Sequence, residues 1–172
     1  TARRAAGLPY RGGFVVGFDD VFDPGGFAVP PAIVAAADRS TRWLLEAARQ
    51  ALRDAGLPSL AGRRAAAVVG NLSYPTAAMM DVRDRRTVAP WLGEADLAPP
   101  DPCEAANLFP SGRPAQLLAR ALEIEGPAEC LDAACASSLY AARLAASALA
   151  SGRADLVVLA AVNGCVNIFL HV

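Results

Sequence analysis

A chain of 172 residues is long enough to bury one proper core, and at 54% hydrophobic and 19% charged it is too apolar for a disordered tail. Its net charge of −1, with sixteen arginines and no lysine, offers no basic field to nucleic acid or an anionic membrane. The N-terminus lacks the apolar core of a signal peptide, and the uncharged stretch 156–170 is interrupted by Asn163, Gly164 and Asn167, short of the roughly 18 apolar residues of a membrane span, so a cytoplasmic protein is expected.

Residues 1–37 are rich in glycine and proline, which predicts loop with short extended pieces, pinned to the body by Phe14, Phe18, Phe22 and Phe27. A helix is predicted from about Ser40. Leu44, Ala48, Ala51, Leu52 and Ala55 share its apolar face, Arg42, Glu46, Arg49, Gln50 and Arg53 take the other, and Gly56 with Pro58 ends it. Residues 63–71, RRAAAVVGN, read as a buried strand ending in a Gly-Asn turn. The stretch up to 112 holds six prolines and is predicted as loop, with a little helix over 77–85. A helix over 114–123 begins with Pro114 in its first turn, where the missing N–H costs nothing. Gly126-Pro127 then leads into a short strand over 128–131, a helix over 136–151 stopped by Gly152, and a strand over 155–162.

These strands are continuous apolar runs and do not alternate, which predicts a sheet covered by helices on both faces. Trp43 and Trp91 are expected as packing residues, and no internal repeat is visible. The chain opens at Thr1 without a methionine and stops in the apolar run Ile168-Phe169-Leu170, a pattern expected of a fragment truncated at both ends.

Four cysteines, Cys103, Cys130, Cys135 and Cys165, have neither zinc-site spacing nor the density of a disulfide scaffold. The only histidine, His171, is next to the last residue, so no metal site and no bound cofactor are expected. Cys103, Cys130 and Cys165 fit the role of small hydrophobes. Cys135 differs, because it follows the short strand and opens a helix that carries one charge, Arg143. Leu139, Ala142, Ala146 and Leu149 form one apolar face of that helix and alanines and serines fill most of the rest, so it is predicted to be buried nearly all round. Unpaired N–H groups and the positive end of the helix dipole favour an anion at its start, which biases a thiol there toward thiolate. Backbone N–H groups at that point, that of Cys135 included, could also hold the oxyanion of a tetrahedral acyl intermediate.

A resemblance rests on the same residues. The run GPAECLDAACASSLYA, 126–141, resembles the nucleophile segment of β-ketoacyl synthases. There a Gly-Pro and a short strand lead to Asp-x-Ala-Cys-x-Ser-Ser, here Asp132, Ala134, Cys135, Ser137 and Ser138. Ala133 and Ala136 stand where many members have threonine and serine. GRADLVVLAAVN, 152–163, is similar to the family's strand after the nucleophile helix, and DRSTRWLLEAARQALRDAG, 38–56, resembles its early helix. RGGFVVGFDDVFDPGGFAVPP and the closing NIFLHV look most like ketosynthase domains of iterative type I synthases, of the polyunsaturated-fatty-acid and enediyne polyketide kinds.

The resemblance implies a thiolase-like α/β fold built of two similar halves, each a mixed sheet covered by helices. Residues 1–172 would form most of the N-terminal half, without its opening strand and without the C-terminal half. It further implies that Cys135 accepts an acyl chain from the phosphopantetheine of an acyl carrier protein, and that a malonyl-type extender then condenses with it by decarboxylative Claisen chemistry. The family's catalytic histidines come from the second half, far beyond His171, and the implied assembly is a homodimer whose edge lies near Cys130 and Leu131. Two alternatives stay open: a coenzyme-A-dependent thiolase-like condensing enzyme, and a non-catalytic partner protein of the chain-length-factor kind, which usually lacks the cysteine.

Overall fold

A computed structural model describes residues 17–71, 79, 107 and 111–163. In chain order the elements are α1 (Phe18–Val21), α2 (Pro31–Ala35), α3 (Arg39–Asp54), β1 (Ala65–Asn71), α4 (Arg113–Ala121), β2 (Ala128–Leu131), α5 (Ser137–Ala150) and β3 (Leu156–Val162). The strands form a parallel sheet in the order β2-β1-β3. Ala67 pairs with Ala128 on one side and Val158 on the other, and Asn71 lies opposite Val162, so the strand ends are nearly level. Parallel neighbours need a crossover connection, and α5 provides the one between β2 and β3. The antiparallel member of a mixed sheet is not among the described residues.

β1 is central and buried along its whole length, as its unbroken apolar run predicts. Ala65, Ala67 and Val69 join the core built by Leu44, Leu45 and Leu52 of α3 with Leu117 and Leu118 of α4. On the other face Ala66 and Val68 meet Leu144 and Ala148 of α5 around a small cavity. Helix, sheet and helix therefore make three layers. β1 extends through Gly70 and Asn71, and Asn71 is buried, so the expected Gly-Asn turn is the end of the strand itself.

α3 starts where Asp38 Oδ1 accepts the Ser40 N–H at 3.0 Å, and it ends with the Leu57 N–H returning to the Leu52 carbonyl at 2.9 Å. Its buried face is Thr41, Leu44, Leu45, Ala48 and Leu52. Ala51 and Ala55, expected on that face, are exposed. Leu45 buries far more apolar surface than either alanine, and its stripe wins.

Among the described residues of the Phe-rich N-terminal segment, 22–30 are loop as expected, but two short helices, α1 and α2, flank that loop. Tertiary contacts hold these short turns. Phe18 stacks on Phe22 and meets Trp43 edge-on at 6.3 Å, while Asp19 accepts from Arg39 and Arg42 at 2.8 and 2.6 Å. The Arg49 guanidinium lies 4.6 Å from the Phe27 ring centroid, donates to the Asp23 and Gly25 carbonyls at 3.0 and 2.8 Å, and pairs with Glu46.

α5 departs from expectation in a way that bears on function. Ser137, Ala141, Ala145 and Ala148 are buried, a stripe of small side chains that lets the helix axis come close to the sheet. Leu139 is 73% exposed and Tyr140 59%, and Leu144 and Leu149 are also exposed. The face expected to be apolar contact surface thus looks outward, and the helix is buried on one side only. Absence of charge cannot tell the two sides apart; side-chain size does, because only the small stripe fits against the strands. The expectations for Phe14, Trp91, Cys103, Cys165, His171, and for most of residues 72–110, lie outside the described residues.

Candidate active site

The sheet's C-terminal edge is where open α/β sheets place their sites, and here it carries the turn between β2 and α5. β2 ends at Leu131, α5 begins at Ser137, and the turn between them holds Asp132 to Ala136. Asp132 Oδ1 accepts the Ala134 N–H at 2.9 Å, closing an aspartate turn. Ala134 then adopts a left-handed conformation at φ 50°, which costs a residue with a Cβ about 1–2 kcal/mol. The following residue, Cys135, is exposed.

A network around the reversal holds it. The Ser137 hydroxyl accepts the Ala133 N–H at 2.9 Å and donates to the Ala134 carbonyl at 2.7 Å. The Ala136 and Ser137 N–H groups donate to the Ala133 and Ala134 carbonyls, both at 3.1 Å. Cys135 therefore stands just ahead of the helix, with Ala136 as N-cap, and not within it. Two of the N–H groups expected to face an anion are already taken up inside the turn. For an oxyanion the Cys135 N–H, carried by the same residue as the sulfur, is the candidate.

Below the turn, β1 and α5 approach so closely that a side chain at Gly70 would not fit. An ideal Cβ there would lie 2.9 Å from both the carbonyl carbon and oxygen of Ser137 and 3.2 Å from the Ser138 nitrogen. Neither Gly70 nor the hydroxyl of Ser137 stood out in the sequence with a role of its own. A lone glycine inside a strand run is the signal for Gly70; for Ser137 the turn contacts are visible only in three dimensions.

Cys130 lies in a different environment. It pairs with Val69 in register and packs half-buried against the α3–α4 core. Burial pushes its thiol above the usual value, and a hydrogen bond from the Ala115 backbone, in the first turn of α4, pulls partly the other way. Its sulfur thus serves an otherwise orphaned N–H of a helix start. The cavity between α5 and the sheet, lined by Ala66, Pro127, Arg153 and Ala154 among others, sits toward the opposite end of the strands from Cys135. Among the described residues no three His, Cys, Asp or Glu side chains converge, and no helix is long and apolar enough to cross a membrane.

A parallel sheet between helical layers, with an exposed cysteine on a strained strand-to-helix turn at its C-terminal edge, fits the N-terminal half of the thiolase-like α/β fold. The chain belongs to the β-ketoacyl synthase family, matching its N-terminal domain over residues 1–171. It is 33% identical over 164 residues to the Cluster 41 polyketide synthase of Aspergillus flavus, covering 94% of this chain and 13% of that protein. It is 34% identical over 156 residues to a phenolphthiocerol/phthiocerol polyketide synthase of Mycobacterium tuberculosis, covering 89% of this chain and 7% of that protein. Among solved structures, the PfaC ketosynthase–chain length factor superposes with a TM-score of 0.62 at 30% identity, over 78% of this chain and 16% of that one. An oxazolomycin ketosynthase domain from Streptomyces albus JA3453, OzmH KS8, gives 0.56 at 27% identity, over 84% of this chain and 30% of that one. The chain thus spans a small part of each relative it matches.

Proposed function

We propose that this chain is the nucleophile-bearing part of a ketosynthase that builds polyketide or fatty acyl chains by decarboxylative Claisen condensation. The observation that carries the proposal is the placement of Cys135, exposed beside the left-handed Ala134 at the head of α5, within the run 132–138 that resembles the family's nucleophile segment. The Cys135 thiolate attacks the carbonyl of an acyl thioester delivered on the phosphopantetheine of an acyl carrier protein. A sulfur–carbon bond forms, the oxyanion collects against the Cys135 N–H, and the carrier thiolate leaves and takes up a proton. A malonyl-type extender then loses carbon dioxide. Its enolate carbon attacks the acyl-cysteine carbonyl, a carbon–carbon bond forms, and the Cys135 thiolate is released with a β-ketoacyl chain now on the carrier.

The histidines that assist decarboxylation belong to the other half of the ketosynthase domain, so these 172 residues by themselves are expected to show no condensation. The outward side chains of α5, Leu139, Tyr140 and Leu149, are exposed and would be covered by that half. β2 is an edge strand of the described sheet, which suits pairing across a homodimer axis. The subtype proposed is the iterative type I synthase of the enediyne and polyunsaturated-fatty-acid kinds, working in the cytoplasm.

The test uses the full-length protein, an acyl thioester and peptide mass mapping. The acyl group is expected on Cys135, Cys135→Ala abolishes loading, and Cys130→Ala retains it at a cost in stability. An acyl group found on Cys130, or loading that persists in Cys135→Ala, overturns the proposal.

A further inference from the structure

We infer that Ser137 is a positioning residue for Cys135: its hydroxyl holds the left-handed turn that presents the sulfur, and Gly70 provides the seat on which Ser137 rests. The inference depends on Cys135 being the nucleophile. Three observations carry it. Ser137 is one of the few polar residues buried in the described chain, at 6% exposure, and its hydroxyl makes two hydrogen bonds that bracket Ala134: one from the N–H of Ala133 before it, one to the carbonyl of Ala134 itself. Ala134, at φ 50°, sits in a conformation that alanine does not hold unaided. Finally, the Ser137 backbone lies against Gly70 so closely that even a methyl group there would collide with it.

Together these make a clamp closed from two sides. From below, β1 fixes the height of the first residue of α5. From above, the hydroxyl keeps the two residues ahead of Cys135 from relaxing to a right-handed turn. Without the hydroxyl the Ala133 N–H loses its partner, and the turn is free to exchange its strained form for others. The sulfur would then sample positions away from the line of attack on a thioester carbonyl. A misplacement of about 1 Å costs about 10²-fold in rate, so the effect belongs on the chemical step and not on thioester binding.

The experiment is single-turnover acylation of Cys135 in the full-length protein, with acetyl-N-acetylcysteamine as the thioester and the acyl-peptide measured by mass. Ser137→Ala is expected to lower the saturating rate about 10-fold or more while the half-saturating thioester concentration stays within about 2-fold. Ser151→Ala is the matched control, since Ser151 Oγ also donates to a backbone carbonyl, that of Ser147 at 2.7 Å, at the far end of the same helix. It should leave the saturating rate within about 2-fold of wild type. If Ser137→Ala does not fold, Ser137→Cys, close in shape and a weak hydrogen-bonding partner, is read in the same way.

Gly70→Ala, which crowds the seat without removing a polar group, should also lower the saturating rate and spare the half-saturating concentration. Near-normal saturating rates in the Ser137 variant, or losses that follow Tm equally in the Ser137 and Ser151 variants, overturn the inference. Loading that persists in Cys135→Ala overturns the nucleophile assignment and this inference with it. Dead Cys135→Ala beside normal Ser137→Ala overturns the inference alone.

Discussion

Replacing Gly126 by alanine tests how tightly β2 is set against the central strand. An ideal Cβ at Gly126 would lie 2.2 Å from the Ala65 carbonyl oxygen and 3.3 Å from its carbon, both backbone atoms of a buried strand. Restoring ordinary contact requires the start of β2 to retreat by about 1 Å. The Ala67 N–H donates to the Pro127 carbonyl at 2.9 Å, and the same retreat takes that bond beyond hydrogen-bonding distance. Overpacking of this kind costs about 1–3 kcal/mol and the lost bond about 1 kcal/mol. The lower entropy of an alanine-containing unfolded chain adds about 0.4–1 kcal/mol, in this case to be overcome by the clash because the native site cannot take the methyl group. A net destabilisation of about 1–3.5 kcal/mol is expected. Urea unfolding of the complete ketosynthase domain, followed by far-ultraviolet circular dichroism and tryptophan fluorescence, measures it as a shift in midpoint at unchanged slope. A variant within about 0.5 kcal/mol of wild type would show that Gly126 does not press on Ala65 and that the β1–β2 register is wrong.

Two pH dependences follow from the perturbed groups. Burial raises the Cys130 thiol in the folded state, so as pH climbs through the ordinary thiol value of 9.0 the unfolded chain loses its proton first and folding stability falls. The Tm difference between wild type and Cys130→Ala should shrink between about pH 8 and 10, and a constant difference would contradict a buried thiol. Glu46 runs the other way: burial pushes its carboxyl up, but Gln50 and Arg49 outweigh that and hold it below 4.5. Its contribution is present above that value and is lost as pH falls through the depressed folded pKa, so wild type and Glu46→Gln should converge in Tm on acidification.

Most of the architecture was legible because its boundaries are chemical. The strand over 128–131 falls where expected, and α5 begins and ends within a residue of expectation, since Gly126-Pro127 and Gly152 leave the chain little choice. α1 and α2 were not legible. Four or five residues are too few to show a period; α1 is held by Asp19 reaching Arg39 and Arg42 and Phe18 reaching Trp43, contacts distant in sequence, and α2 buries Val34. The orientation of α5 was hidden for another reason: a helix without polar contrast gives no hint of which side meets the sheet. In the candidate site, Cys135 was legible from the strand-to-helix junction. The left-handed Ala134 and the double bond of Ser137 were not, because neither alanine nor serine in that position announces its geometry.

The two-sided character of α5 also constrains anyone who would splice such a chain into a hybrid synthase. On the packing proposed above, a junction placed just after β3 would set Leu139, Tyr140 and Leu149 against a foreign surface. Each large apolar side chain left unmatched there forfeits about 1.5–3 kcal/mol of burial, enough across three to separate a chimera that assembles from one that precipitates. Crossover points should therefore be chosen so that this helix travels with its own lid.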